Sequence, residues 1–136
     1  MATFAIQLAQ FQTDTEQRAL LTIKRIVLEM FKRVMQRTPV DTGNARANWD
    51  IGINAIPDGF EATIETGELG AASQQALNRG LMEFASFKLG DTAYIVNNVA
   101  YIGFLEEGRS GQAPSGMVKI TVREFQTIVD ELSVGI

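Results

Sequence analysis

Residues 18–43 read RALLTIKRIVLEMFKRVMQRTPVDTG, and this stretch decides the fold. Its apolar residues recur at spacings of three and four and form one helical stripe, namely Leu20, Ile23, Val27, Met30 and Val34. Ile26, Phe31 and Met35 widen the stripe, so we expect the helix to bury a broad face against a sheet. Pro39 disfavours helical geometry at Thr38, which predicts that the helix ends at residue 36 or 37.

The start of this helix is marked by a possible capping box. Thr13 is followed three residues later by Glu16, so the hydroxyl and the carboxylate can each bond the other residue's backbone N–H. This pattern predicts a first turn at residue 13. Upstream, Phe4, Ile6 and Leu8 alternate, so residues 1–12 form either an edge strand or an arm that extends the helix.

The rest of the chain alternates between strand-like and helix-like patterns. Period-two runs predict strands at residues 48–56, 60–66 and 92–98, with the first two joined by the turn at residues 57–59. Helices are predicted at residues 71–87 and 117–133, and one helical turn at 101–107 that Gly108 ends. The start of the last helix is open, because residues 118–122 also alternate.

This order predicts one α+β domain over residues 1–136. A long N-terminal helix and a C-terminal helix should pack on a small, mainly antiparallel sheet. Trp49 is expected to anchor the first strand in the core. Asn97 and Asn98 are expected to end the third strand.

The composition argues against several classes of function. The chain contains no cysteine and no histidine, which excludes disulfides and thiolate metal sites and removes the commonest general base. No apolar run approaches the roughly 20 residues that a membrane-spanning helix needs. The N-terminal residues lack a basic region and a cleavage site, so we expect no signal peptide. The sequence predicts no cofactor and no metal ion.

Charge is distributed unevenly along the chain. Residues 18–46 contain seven basic residues against two acidic ones, a local charge of +5, whereas five basic and twelve acidic residues follow. Arg25, Lys32 and Arg33 lie in this basic stretch. It is either a solvated polar face, a surface for an acidic neighbouring subunit, or a surface for nucleic-acid phosphates. No aromatic residue lies among the basic ones on that face, so base stacking is not supported.

Two acidic constellations could suggest catalysis or a metal site. Glu106 and Glu107 are adjacent, but neighbours on a helical turn point about 100° apart and do not converge on one proton. We therefore interpret them as surface residues that could pair with a neighbouring subunit's basic helix. Asp41 and Asp50 could be magnesium ligands, but Asp41 fits a turn and Asp50 the solvent side of a strand.

The segment at residues 109–116, RSGQAPSG, is rich in glycine and hydroxyl groups. It lacks the Gly-Lys-Ser/Thr ending of a P-loop, so phosphate binding is a weak interpretation. A loop that becomes ordered on contact with a partner fits better. Ser115 is expected to cap the last helix.

Two motifs resemble a known family. The first is Thr38-Pro39-Val40-Asp41-Thr42-Gly43 followed by Arg46 and Asn48-Trp49. The second is Tyr94-Ile95-Val96-Asn97-Asn98, then Tyr101, Leu105-Glu106, Gly108, Ser110, Gln112-Ala113-Pro114 and Gly116-Met117-Val118. In this order they resemble the neck or tail-completion family of long-tailed bacteriophages, which includes minor tail protein Z. The resemblance covers most of residues 18–132.

The resemblance implies a non-enzymatic virion protein, assembled in the host cytoplasm. Such subunits form rings around the DNA channel and join the head connector or stopper to the tail terminator or tail tube. The family fold is α+β with a long first helix. The residues we expect at subunit contacts are Arg25, Lys32, Arg33, Asp41, Arg46, Glu106, Glu107, Arg109 and Gln112. The alternative is a small module that binds the phosphate backbone of nucleic acid, and an enzyme such as a hydrolase is a third possibility.

Overall fold

The computed structural model describes residues 2–39, 44–59, 70–108 and 116–133. The elements are α1 (Ala2–Arg37), α2 (Asn44–Ala47), β1 (Trp49–Ile53), α3 (Ala71–Phe84), β2 (Ala93–Asn97), α4 (Ile102–Glu106), α5 (Val118–Arg123) and α6 (Phe125–Leu132). The predicted α+β class is confirmed. A long N-terminal helix and C-terminal helices accompany a short antiparallel sheet.

The sheet has two strands within the described ranges. β1 pairs with β2 in antiparallel register, from Trp49 opposite Asn97 to Ile53 opposite Ala93. The predicted strand at residues 60–66 lies outside the described residues. β1 therefore pairs with a strand that is distant in sequence. α3 packs against β1 as well.

The core forms where the C-terminal half of α1 meets the sheet and α3. Phe31, Val34 and Met35 of α1 are buried in one cluster with Trp49 of β1 and Phe84 of α3. The predicted apolar stripe is correct, but Phe31 and Met35, which were expected only to widen it, are among its most deeply buried residues. Leu20, Ile23 and Val27 are only partly buried against the cluster.

The predicted start of α1 is wrong. The helix begins at Ala2 and continues through residue 13, so the capping box is not formed. Instead the hydroxyls of Thr13 and Thr15 donate hydrogen bonds to the carbonyls of Ala9 and Phe11, four residues earlier. Of the two alternatives for residues 1–12, the helical arm is the one observed. The arm, defined here as residues 5–18, is exposed throughout.

The predicted end of α1 is confirmed at Arg37. The next residue, Thr38, is hydrogen-bonded to Trp49. Trp49 is 3% exposed. Its indole Nε1 donates to the Thr38 hydroxyl at 2.6 Å, and that hydroxyl donates to the Val34 carbonyl at 2.7 Å. A buried indole N–H without an acceptor would be costly. The residue that follows α1 therefore supplies the partner that lets β1 pack against the helix.

Two predicted helices have different bounds in the structure. α3 ends at Phe84 instead of residue 87, and Lys24 of α1 donates to the Ala85 carbonyl just beyond it. The helix predicted at residues 117–133 is two helices, α5 and α6, which meet at Glu124. The alternative strand at residues 118–122 is wrong.

α1 and α3 approach each other closely at Gly80. A Cβ atom at this position would lie 2.7 Å from a ring carbon of Phe31. Glycine lowers intrinsic helix stability, so its presence inside α3 needs an explanation. The close approach explains why glycine is accommodated there, because Phe31 is fully buried against it.

Asn97 and Asn98 end β2, as predicted, but through their side chains. Asn97 donates to the Ala45 carbonyl and accepts from the Val99 N–H. Asn98 donates to the Pro57 and Gly59 carbonyls. Both amides thus connect the strand end to preceding segments of the chain.

No helix in the described ranges combines the length and the apolar character needed to cross a bilayer. α1 has the length, but charged and polar residues recur along it.

Candidate functional site

The basic face of α1 is divided into paired and unpaired charges. Arg33 bonds Glu29 one turn earlier, with Nε and Oε1 at 2.8 Å, and Arg33 and Arg37 both pair with Glu124. Glu124 lies between α5 and α6, so these contacts join α1 to the C-terminal helices. The charge that the sequence suggested for a neighbouring subunit is therefore partly neutralised inside the chain.

The environment of Arg33 favours its charged form. The hydrogen bond with Glu29 raises the pKa of the guanidinium above its ordinary value, partial desolvation opposes the rise, and the charges of Glu29 and Glu124 add to it. Arg33 therefore stays protonated at any physiological pH. In the described structure it bonds Glu29 of the same helix and holds Glu124 against α1.

Besides Arg18 on the arm, Arg25 and Lys32 are the exposed basic residues of α1. Neither forms an ion pair with another described residue. Together they border a groove between α1, α3 and α6 with a volume of about 370 Å³. Four leucines line it, Leu28, Leu77, Leu81 and Leu132, and Glu29 completes its rim. We call this the leucine groove.

A second apolar depression lies on another side of α1. It has a volume of about 180 Å³ and is bounded by Met30 and Val34 of α1, by Trp49 and Ile95 of the sheet, and by α5. The α5 residues in contact with it are Val118, Thr121 and Val122. Among the described residues no charged side chain borders this depression, so the two depressions differ in the partner they could accept.

Glu106 forms a contact that the sequence did not predict. Its carboxylate accepts hydrogen bonds from the backbone N–H groups of Met117, Val118 and Lys119, at 2.8 to 2.9 Å. These are the free donors at the start of α5, so Glu106 caps that helix from eleven residues away. The predicted capping residue, Ser115, lies outside the described residues.

The caps also set the pKa of Glu106. Burial alone would raise the pKa of this carboxyl, but the three backbone hydrogen bonds and the Lys119 charge together lower it below its ordinary value. The carboxylate is thus engaged within the chain. Glu107, its neighbour, is exposed at the end of α4, and Gly108 follows with the positive φ expected of a helix stop.

The remaining predicted contact residues fall into two groups. Arg46 is 4% exposed and its Nε donates to the Ser73 hydroxyl at 3.0 Å, so it connects α2 to α3 inside the fold. Asp41, Arg109 and Gln112 lie outside the described residues.

The structure also brings together two carboxyl groups that are distant in sequence. Partial burial raises the pKa of Glu83, and the charge and hydrogen bond of Asp50 raise it further. The two residues lie on α3 and β1. No local motif could have indicated this pair, since 33 positions separate them. Within the described ranges, no group of three or more acidic, histidine or cysteine side chains could hold a metal ion.

The arm exposes three large apolar side chains. Ile6, Leu8 and Phe11 are 63%, 58% and 70% exposed. Leu8 and Phe11 are three residues apart and share one face of the helix.

Comparison with protein-family models, with curated proteins and with solved structures found no match for this chain.

Proposed function

We propose that this chain is a structural subunit of the bacteriophage head–tail junction. It forms a ring in the virion and either completes the tail or joins it to the head connector. The proposal rests on the two motifs at residues 38–49 and 94–118, which resemble the neck or tail-completion family in order and separation. The α+β fold with a long first helix is what that resemblance implies.

The exposed arm is the structural observation that supports this proposal most. A helix that shows Ile6, Leu8 and Phe11 to solvent gains little from packing within its own chain. Large exposed apolar patches indicate contact with another protein or a membrane. A subunit that functions in an assembly needs such a surface, whereas an isolated domain does not.

The proposal excludes catalysis by this chain. It also predicts that the purified protein is monomeric or weakly associated and forms rings with its connector or tail partners. Cryo-electron microscopy of virions whose genome encodes this sequence tests it. Density for the subunit in a ring at the neck or tail end would support the proposal, and its absence from that region would refute it.

The alternative, a module that binds nucleic-acid phosphates, is favoured by the exposed charges of Arg25 and Lys32. It is disfavoured by the pairing of Arg33 and Arg37 with Glu124. DNA retention that falls with salt and is lost on Arg25→Glu/Lys32→Glu reversal would support it. Arg123→Glu, a reversal at an exposed site on α5, is the matched control.

A further inference from the structure

The arm cannot reach the leucine groove of its own chain. Both belong to α1, which is one continuous helix from Ala2 to Arg37. At a rise of 1.5 Å per residue, Phe11 lies about 25 Å along the axis from Leu28. Any contact between the two surfaces therefore requires two copies of the chain.

The two surfaces are complementary in apolar character. The arm presents Leu8 and Phe11 on one face as projecting side chains, whereas the leucine groove is concave and open. Leu81 on its wall is 45% exposed, so the groove retains apolar surface that its own chain does not cover. An amphipathic helix that lies in such a groove is a common mode of recognition.

The two surfaces are also complementary in charge. Asp14 follows Phe11 by three residues and lies on the same side of the arm, and it is the one charged residue among residues 5–14. Arg18 lies on this side too, one turn further toward the packed half of α1, and its charge is offset by that of Glu16 within the arm. Asp14, Arg25 and Lys32 form no ion pair within the described residues, although their charges are opposite. The smaller depression near Trp49 has no such basic rim. Charge therefore selects the leucine groove as the site for the arm.

We propose that the arm of one subunit docks in the leucine groove of a second copy of this chain. Leu8 and Phe11 would cover the leucines, and Asp14 would meet Arg25 and Lys32 at the rim. The inference rests on the proposed ring, for which it names the contact between neighbouring subunits. When the contact is not reciprocated between the same two copies it is heterologous, which is the type that generates rings.

The proposed contact is small. It involves only four or so turns of helix and a few apolar side chains, less than a standard stable interface buries. This size agrees with the expectation that free subunits associate weakly. Stable rings would then require additional contacts supplied by the connector or tail.

Disulfide trapping tests the contact directly, because the natural chain contains no cysteine. A Phe11→Cys chain is mixed with a Leu81→Cys chain under mild oxidation, and the rate of mixed-disulfide formation is measured. Ile56→Cys is the matched control, since Ile56 is 65% exposed and lies outside the groove. We expect the groove pair to form at least about tenfold faster than the control pair, because docking raises the local thiol concentration.

Charge reversal then tests the register. Asp14→Lys in the Phe11→Cys chain should slow trapping, and Arg25→Asp/Lys32→Asp in the Leu81→Cys chain should restore it. All three positions are exposed, so the variants should fold. If a substitution slowed trapping only because it unfolded its chain, a second substitution in the other chain could not restore the trapping rate.

Several results would overturn the inference. Equal trapping rates for Leu81→Cys and Ile56→Cys would do so, and so would Phe11→Cys homodimers as the main product, which would indicate pairing between arms. If virion rings are seen while trapping fails, the proposed function stands and this contact is wrong. If trapping succeeds but the subunit is absent from the neck and tail, the contact stands and the proposed function is wrong.

Discussion

Glu106 and Glu83 both belong to helices, yet their surroundings move the pKa of their carboxyl groups in opposite directions. Three backbone N–H groups at the start of α5 stabilise the charged form of Glu106. Partial burial and the nearby Asp50 disfavour the charged form of Glu83. The same substitution at the two positions should therefore have opposite effects on stability.

Glu106→Gln should lower the free energy of unfolding by about 1 kcal/mol at neutral pH, since it removes a charged cap. The pKa of Glu106 is lowered in the folded state, so its contribution is complete above the ordinary value of 4.5 and is lost as the pH falls below it. Urea unfolding of both proteins between pH 7 and pH 3 measures this. Glu131→Gln, at an exposed site on α6, is the control, and a difference that does not depend on pH would contradict the prediction.

Glu83→Gln should stabilise the protein slightly at neutral pH. The folded pKa of Glu83 is raised, so the group favours folding at pH values below 4.5 and this contribution is lost as the pH rises through the folded value. Glutamine removes the repulsion from Asp50. The gain should be below about 0.5 kcal/mol, because solvent screens charges at the surface. Thermal unfolding at pH 7 and pH 4 measures it, and a loss of stability at pH 7 would show the explanation to be wrong.

At the scale of elements, the contact between α1 and α3 depends on Gly80. Alanine would raise intrinsic helix stability by up to about 1 kcal/mol, but its Cβ would lie 2.7 Å from the Phe31 ring. We expect Gly80→Ala to destabilise the protein by about 1–3 kcal/mol, because the ring is buried and cannot easily move.

Gly103→Ala provides the matched comparison for this prediction. Gly103 is inside α4, and a Cβ there would meet no atom within 4 Å. The same change should therefore be neutral or stabilising by up to about 1 kcal/mol. Chemical unfolding of both variants measures the two effects. Equal effects at the two positions would show that helix propensity, and not the Phe31 contact, decides the outcome.

The sequence predicted the elements whose pattern is local. The apolar stripe of α1, its end before Pro39 and the strand at Trp49 follow from spacing and from proline geometry, and the structure has them. The start of α1 was missed because Thr13 and Glu16 imitate a capping box. Threonine can instead bond the carbonyl four residues earlier and remain inside a helix, as Thr13 does.

The missed features of the candidate site depend on contacts between distant residues. The break between α5 and α6 lies at Glu124, which pairs with Arg33 and Arg37 of α1. The cap of α5 comes from Glu106, on the far side of a turn-rich segment. Neither contact has a local sequence signal.

At the scale of the whole molecule, stability should be unequal along α1. The C-terminal half is packed in the core, whereas the arm is exposed and relies on helix propensity alone. Native-state hydrogen exchange of the dilute protein should therefore give protection factors near one for residues 5–18. For residues 26–35 the free energy of opening should be close to the free energy of global unfolding. An arm as protected as the core in a monomer would contradict this, since it would require contacts that the described chain does not make.

The cap by Glu106 also fixes the distance between the two ends of residues 107–116, whatever the length of the chain between them. Glu106 ends α4 while its carboxylate holds the first N–H groups of α5, so the two helices cannot separate without losing the cap. In acid, where the carboxylate takes up a proton, α4 and the start of α5 should thus lose their attachment to each other in one step.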